Sequence, residues 1–393
     1  MTFSEIIEEL GIESYPAELE EIYKDAKGVL NFSEKDIDML EREYSVIGAC
    51  QAELVDCLNE IRSNSALWEY TAAAAAYLSR VSHAEGLKLK LPSVSNEYPT
   101  CYYSALLLVM AMPEAINNYL RRGFSKDEVA DIVSAFRAKM NASNESGEKL
   151  GLDSSAYNWL RHYTSSVIFK TSLFGITPRI LNSPLMLLKN SCGEYKIMMT
   201  GGRFHRDGKI LGSAGYTDEG GAFDAEFSED EKFYTGHEVI DSRVSNELSR
   251  LSKSEWRIVL KQGDGFAGLH IPRNAELTDE RMNKSFREAY KLTVERYPDY
   301  NPKGVHCSTW LLDPKLSEIL GPGSNIARFQ SRFTKYPIKS GGKELFGFAF
   351  PKNVNSYKDL PENTSLQRKL KAMYINGEFI CAHAGFVTDI DFD

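Results

Sequence analysis

The chain has 393 residues, with 46 Lys and Arg against 55 Asp and Glu, giving a formal net charge of −9. At about 150 residues per domain this length predicts two to three domains, and 42% hydrophobic with 26% charged residues excludes wholesale disorder. The acidic balance speaks against a dedicated binder of nucleic acid or of anionic membranes, either of which would carry a basic excess or stripe.

Met1 to Leu10 is acidic and sets Phe3, Ile6, Ile7 and Leu10 at helical spacing. It has no basic start and no apolar run, so it does not read as a signal peptide. Ser33 to Asp36 has capping-box spacing and opens a stretch with Ile37, Leu40, Tyr44 and Ile47 on one face. Asn64 and Ser65 precede an Ala-rich helix over Tyr70 to Val81. The longest apolar run, Tyr102 to Met112, stops at Pro113 and is too short to span a bilayer, which predicts a buried helix. Ser125 to Glu128 repeats the cap pattern ahead of Val129, Ile132, Val133, Phe136 and Met140. Residues 1–145 therefore read as an all-α domain, and the polar, glycine-bearing Asn141 to Gly151 predicts a boundary with a second domain over 146–393.

Beyond that boundary β-branched and aromatic residues increase. Val167 to Ile180 and Glu194 to Thr200 read as strands, and Gly201 to Gly221 as hairpins and loops with Asp207-Gly208 at a tip. Trp256 to Leu260 and Gly265 to Ile271 follow as strands, and Thr278 caps a helix that closes at Tyr297-Pro298. Next come a strand over Val305 to Leu312, a short helix opened by Asp313-Pro314, and a helix from Ser324-Asn325 through Phe329. Leu345 to Phe350 reads as a strand, Thr364 or Ser365 caps a last helix to Tyr374, and Glu378 to Val387 makes the final strand. This alternation predicts an α/β or α+β domain around a mixed sheet.

Six cysteines (Cys50, Cys57, Cys101, Cys192, Cys307, Cys381) are scattered without a CxxC pair or metal-ligand spacing, so they read as small buried hydrophobes in a cytoplasmic protein that holds no metal.

The run Leu269-His270-Ile271-Pro272, then Cys307-Ser-Thr-Trp310-Leu-Leu-Asp313-Pro314, then Ser324-Asn325-Ile326 through Phe329-Gln330 and Phe333 resembles a family of bacterial acyltransferase domain-containing proteins. Trp159-Leu160, Asp207-Gly208, Trp256-Arg257 and Thr364 to Arg368 are further points of similarity. The family favours Ser where this chain has Thr309, a change that keeps the hydroxyl. The resemblance implies an N-acyltransferase-type helical domain followed by a GNAT-like mixed-sheet domain. It also implies transfer of an acyl group from acyl-CoA to a small-molecule acceptor.

In a GNAT-like sheet the acyl-CoA cleft opens where two parallel strands splay. On that scheme His270 ends the first strand, where a histidine can serve as general base. Strand alternation sets Val305, Cys307, Thr309 and Leu311 on one face, and His306, Ser308, Trp310 and Leu312 on the other. Cys307 and Thr309 are thus expected to line the cleft beside His270, with a Cys–His thioester intermediate as the second choice to direct transfer. The usual glycine-rich pyrophosphate loop is missing. Arg273 to Thr278 stands in its place, with Arg273 able to meet phosphate and Glu276 opposing it. Asn325 and Arg328 complete the candidate cofactor residues, although Asn325 also reads as a helix cap. The general-acid tyrosine is replaced by Phe329 and Phe333, with Tyr336 beyond. A non-catalytic GNAT-like module that binds a small molecule or protein is the alternative, and a scaffold oligomerising through its helices is a third.

Overall fold

The computed structural model describes residues 1–92, 100–145, 152, 154–350, 356–390 and 392. The chain divides into two compact units, Met1–Phe169 and Lys170–Asp393.

The first unit is helical: α1 (Phe3–Glu9), α2 (Ala17–Asp25), α3 (Glu34–Tyr44), α4 (Gln51–Ser63), α5 (Ser65–Arg80), α6 (His83–Gly86), α7 (Thr100–Arg121), α8 (Lys126–Glu145) and α9 (Ser154–Thr164). The capping signals form as the residues dictate. Ser33 N donates to Asp36 Oδ2 at 2.7 Å, Asn64 Oδ1 accepts from Leu67 N at 2.8 Å, and Ser125 and Glu128 exchange backbone-to-side-chain bonds. At the centre α5 buries its whole Ala72–Ala76 run, and these small side chains let α7 pack closely against it. The unit ends later than the polar segment suggests because α9 belongs to it. Ser166 Oγ donates to Ala115 O, and Tyr119 OH donates to Ile168 O at 2.7 Å. Cys101 and the boundary segment 146–151 lie outside the residues whose side chains are described.

The second unit holds β1 (Phe169–Lys170, where the chain passes from the first unit), β2 (Gly175–Ile180), β3 (Leu185–Asn190), β4 (Tyr195–Met199), β5 (Arg203–Phe204), β6 (Phe223–Asp224), β7 (Phe227–Glu229), β8 (Phe233–Ile240), β9 (Arg243–Ser252), β10 (Trp256–Lys261) and β11 (Gly265–His270). The helix α10 (Asp279–Arg296) leads to β12 (Pro302–Thr309), then α11 (Pro314–Leu320), α12 (Asn325–Ser331), β13 (Phe333–Pro337), α13 (Phe346–Ala349), α14 (Ser365–Ile375) and β14 (His383–Val387). One six-stranded sheet runs β1-β2-β11-β12-β14-β13, and a second runs β10-β3-β4-β8-β7 with β9 on β8. They pack through a shared core in which Leu187 and Ile197 of one sheet meet Phe266, Tyr336 and Phe386 of the other.

The α+β class is as expected, with two local corrections and one hairpin that was not foreseen. Leu345 to Phe350 is not a strand: Phe346–Ala349 is a short helix, and Leu345 and Phe350 fill a side cluster with Leu316, Leu370 and Tyr374. The last strand starts only at His383. The long hairpin of β8 and β9 turns through Asp241 and Ser242, both at positive φ, where the strong sequence signal would have been glycine. Among the described residues no helix is long and apolar enough to cross a membrane.

Candidate active site

Among the described residues, β11 and β12 form a parallel pair of the mixed sheet. Along β11 and β12, Ala267 lies opposite Val305, Gly268 opposite His306 and Leu269 opposite Cys307. Past that point His270 stays paired with Gly175 of β2, whereas Ser308 and Thr309 pair with Ala384 and His383 of β14. Each strand keeps its outer neighbour where the parallel ladder has ended, so the C-terminal ends of β11 and β12 are not paired with each other. Sheets of this kind bind ligands at such ends.

His270 stands half-buried at the end of β11. Its Nε2 lies 2.9 Å from Thr177 Oγ1 on β2, and Arg179 Nε donates to the same oxygen at 3.0 Å. The hydroxyl of a buried threonine thus ties the imidazole to a guanidinium.

The parallel register corrects the expected grouping of His270 with Cys307 and Thr309. Because Gly268 is opposite His306, His270 shares a face with His306 and Ser308, while Cys307 and Thr309 face the other way. Cys307 is 1% exposed, its Sγ lies 3.9 Å from Leu269 O, and burial pushes the thiol up to about 12. A thiol held protonated in an apolar layer is not a nucleophile. Thr309 is the last residue of its strand, and its Oγ1 accepts from Leu311 N at 3.2 Å to start the 3-10 turn Trp310–Leu312. The strand therefore stops three residues short of Leu312, and Trp310 leaves the alternation to pack on Phe348. Exposed Ser308, rather than Cys307 or Thr309, is the strand neighbour aligned with His270.

The candidate cofactor residues have local partners. Arg273 Nη2 donates to Gly347 O at 3.4 Å, and its guanidinium lies 5.9 Å from the Phe348 ring. Asn325 Oδ1 accepts from Arg328, and Ser324, one place earlier, is the cap of α12. At the start of α10, Thr278 Oγ1 takes Arg281 N, Asp279 and Glu280 fill the first turn, and Glu276 pairs with Arg281 at 2.6 Å. Carboxylates already occupy the positive end of that helix dipole, an unfavourable setting for a diphosphate. Phe329 and Phe333 pack with Phe174 and Phe286. Tyr336 is a core residue whose hydroxyl lies 2.9 Å from His306 Nε2, and burial holds that histidine down to about 3.

Beyond the end of β12 the fold assembles a polar cluster that sequence reasoning did not find. Lys209 Nζ, buried, donates to Ser242 O at 3.1 Å and to His383 Nε2 at 2.6 Å. His383 Nδ1 in turn donates to Cys381 O at 3.0 Å, the neutral tautomer that leaves Nε2 as acceptor. Burial, with Lys209 beside it, pulls His383 down to about 3, and burial pulls Lys209 down to about 8. Asp313 accepts from Cys381 N at 2.6 Å and Lys315 N at 3.0 Å, with its carboxyl pushed up by burial. Lys209 and His383 are 174 residues apart in sequence, so no local signal links them.

Residues 211–387 match the family model of the GNAT-like C-terminal domain. The chain carries a GNAT-like C-terminal domain. No curated protein matches the chain by sequence. Among solved structures the chain is similar to an acyltransferase in complex with decanoyl-CoA and teicoplanin, at 14% identity and TM-score 0.61, covering 98% of this chain and 99% of that one. It is also similar to a mutant acyltransferase in complex with octanoyl-CoA, at 15% identity and TM-score 0.58, covering 99% of both chains. These likenesses extend over both units and show a shared fold, in agreement with the family resemblance read from the sequence. The GNAT-like domain lies wholly within the second unit, which also contains His270.

Proposed function

We propose that this protein transfers an acyl group from an acyl-CoA thioester to an amine or hydroxyl of a small molecule, with His270 as general base. The observation that supports this reading is the end of the parallel β11–β12 ladder at Leu269 and Cys307, with His270 the next residue on β11. Strand edges that no longer pair with each other suit the amide-bearing pantetheine arm of CoA, which can take backbone hydrogen bonds. The start of α10 does not suit the diphosphate, so Arg273 and Arg328, the two basic residues singled out from the sequence, would meet it. Acyl-CoA, when bound, supplies the activated acyl group.

The remaining chemistry belongs to the chain. Thr177 Oγ1 has two lone pairs, one for Arg179 Nε–H and one for His270 Nε2–H. That arrangement leaves Nδ1 as the basic nitrogen that takes the acceptor's proton. Ser308 offers a hydroxyl on the same face, and Thr309 acts as a cap. With the Cys307 thiol buried on the other face, direct transfer replaces the thioester route. The acyltransferases of similar fold were solved with acyl-CoAs, and one with teicoplanin, which supports an acyl donor and a small-molecule acceptor here. Free thiols at all five described cysteines support a reducing, cytoplasmic setting.

The acidic start of α10 favours a second reading, a GNAT-like module that binds without turnover. Incubation with octanoyl-CoA and a panel of primary amines, following release of the CoA thiol, separates the two. Acceptor-dependent release that His270→Gln abolishes is expected. Binding without release would establish the module, and neither binding nor release would sink both readings.

A further inference from the structure

We propose that the acceptor of the acyl group is an amine that also carries a carboxylate, and that the Arg179 guanidinium binds that carboxylate. The inference rests on the reading of His270 as general base and narrows its substrate to compounds of the amino-acid class. Arg179 on β2 lies over Gly268 of β11, where a Cβ would come 3.4 Å from Arg179 Cδ and 2.9 Å from Thr177 O. Gly268 is opposite His306, and the Arg179 charge adds to the burial that holds that imidazole neutral. The guanidinium therefore lies on the face that His270 shares with His306 and Ser308. Arg179 is exposed, while the sheet around it partly desolvates its charge and pulls the group below the ordinary arginine range. Its Nε donates to Thr177 Oγ1 at 3.0 Å, and among the described residues no carboxylate pairs with its Nη groups.

Position and charge select the ligand. Arg179 Nε and His270 Nε2 share one hydroxyl, so the guanidinium stands at the reacting end of the site. The CoA diphosphate lies at the far end of the pantetheine arm from the thioester, which leaves Arg179 to the acceptor. With His306 neutral, a single cation is on offer there, and the paired Nη donors of a guanidinium match the two oxygens of a carboxylate. A carboxylate seated on them sets an amine a few bonds away beside His270. That amine attacks the thioester carbon, the C–N bond forms as the C–S bond breaks, and the amine proton passes through His270 to the departing thiolate. One competing role for Arg179 is to hold Thr177 in place, which uses Nε alone and leaves both Nη groups idle. Another is to stabilise the oxyanion formed from the thioester, which would help every acceptor equally.

The test is transfer by the full chain from octanoyl-CoA to matched acceptors: glycine and glycinamide, β-alanine and β-alaninamide, phenylalanine and phenylalaninamide. In at least one pair the acid should exceed its amide about tenfold or more in kcat/KM. Arg179→Gln should bring that ratio close to one, chiefly by raising KM for the acid, and Arg179→Lys should restore part of it. Any disturbance of Thr177 or His270 by the substitution cancels in the ratio. Calorimetric titration with the N-octanoyl form of each acid and amide reads the same preference without turnover. Tighter binding of the acid that Arg179→Gln abolishes, with no transfer to any acceptor, would keep the carboxylate site and remove the general base. No preference for the acid in either measurement, or a preference that Arg179→Gln leaves unchanged, overturns the proposal.

Discussion

His270 Nε2 and Thr177 Oγ1 lie 2.9 Å apart across β11 and β2, and the same hydroxyl accepts from Arg179 Nε. The histidine is therefore oriented by its neighbouring strand β2 and not by the parallel strand β12. His270→Gln should lower acyl transfer by about 10²- to 10⁴-fold, the usual contribution of a general base. Thr177→Val keeps the ring and removes its anchor, so a smaller loss is expected, with the acidic limb of the rate–pH profile displaced. Steady-state rates of thiol release across pH 5–9 check both. Equal rates for wild type and His270→Gln would remove His270 from the chemistry.

The cysteines should differ sharply in reactivity. Cys50, Cys57, Cys307 and Cys381 are buried, and Cys192 is exposed in the turn between β3 and β4. Of these five, only Cys192 should react quickly with a thiol-specific disulfide reagent in the native protein. Cys307→Ala should leave transfer unchanged and cost about 1 kcal/mol of stability. Mass spectrometry of the labelled chain and denaturant unfolding check the two halves.

Lys209 should leave a signature in alkali. Its folded value, about 8, lies below the ordinary 10.5, so between those values the unfolded chain holds more protons at this residue than the native one. Stability from this group therefore rises as pH climbs from 8 to 10.5, and the burial penalty is fully present below 8. The opposite end of the scale is governed by His306 and His383, both held near 3 against 6.5. Their contribution is complete above 6.5 and is lost as pH falls towards 3. Unfolding by urea across pH should show both slopes. Lys209→Met should flatten the alkaline one and His306→Gln part of the acidic one.

Arg161 is 1% exposed, and among the described residues no carboxylate pairs with it. Its Nη2 donates to His83 O at 2.7 Å, its Nε has no partner, and the Tyr157 ring lies 5.8 Å away. Gly86 makes the room: a Cβ there would come within 2.2 Å of Nη2. Gly86→Ala should therefore destabilise by about 1–3 kcal/mol. Arg161→Met removes an unpaired buried cation and should be neutral or stabilising. In the double variant the alanine should be tolerated, a coupling that thermal melts of all four proteins will read.

Much of the fold was legible where local physics decides it. Ser33, Asn64, Ser125, Thr278 and Thr364 all start helices because a side-chain cap acts within three residues. The hairpin tip at Asp207-Gly208 was visible because Gly208 is at a φ of 72° beside the Val244 backbone. The β8–β9 hairpin was not, since Asp241 and Ser242 adopt positive φ without glycine. Near the site, the succession of strand, helix, strand and helices from Gly265 to Ser331 was readable from alternation of elements. The face that His270 shares depends on the register of β11 against β12, a non-local property, so alternation alone grouped it with Cys307 in place of Ser308. The cluster of Lys209, Asp313, Cys381 and His383 was invisible for the same reason: its members meet only after the sheet forms.

The most direct test is a crystal structure of the protein soaked with a non-hydrolysable octanoyl-CoA analogue. The account predicts the pantetheine arm between β11 and β12 beyond Leu269 and Cys307, bonded to their free edges, with the carbonyl-equivalent carbon beside His270 and Ser308. An analogue bound elsewhere in the second unit would contradict it.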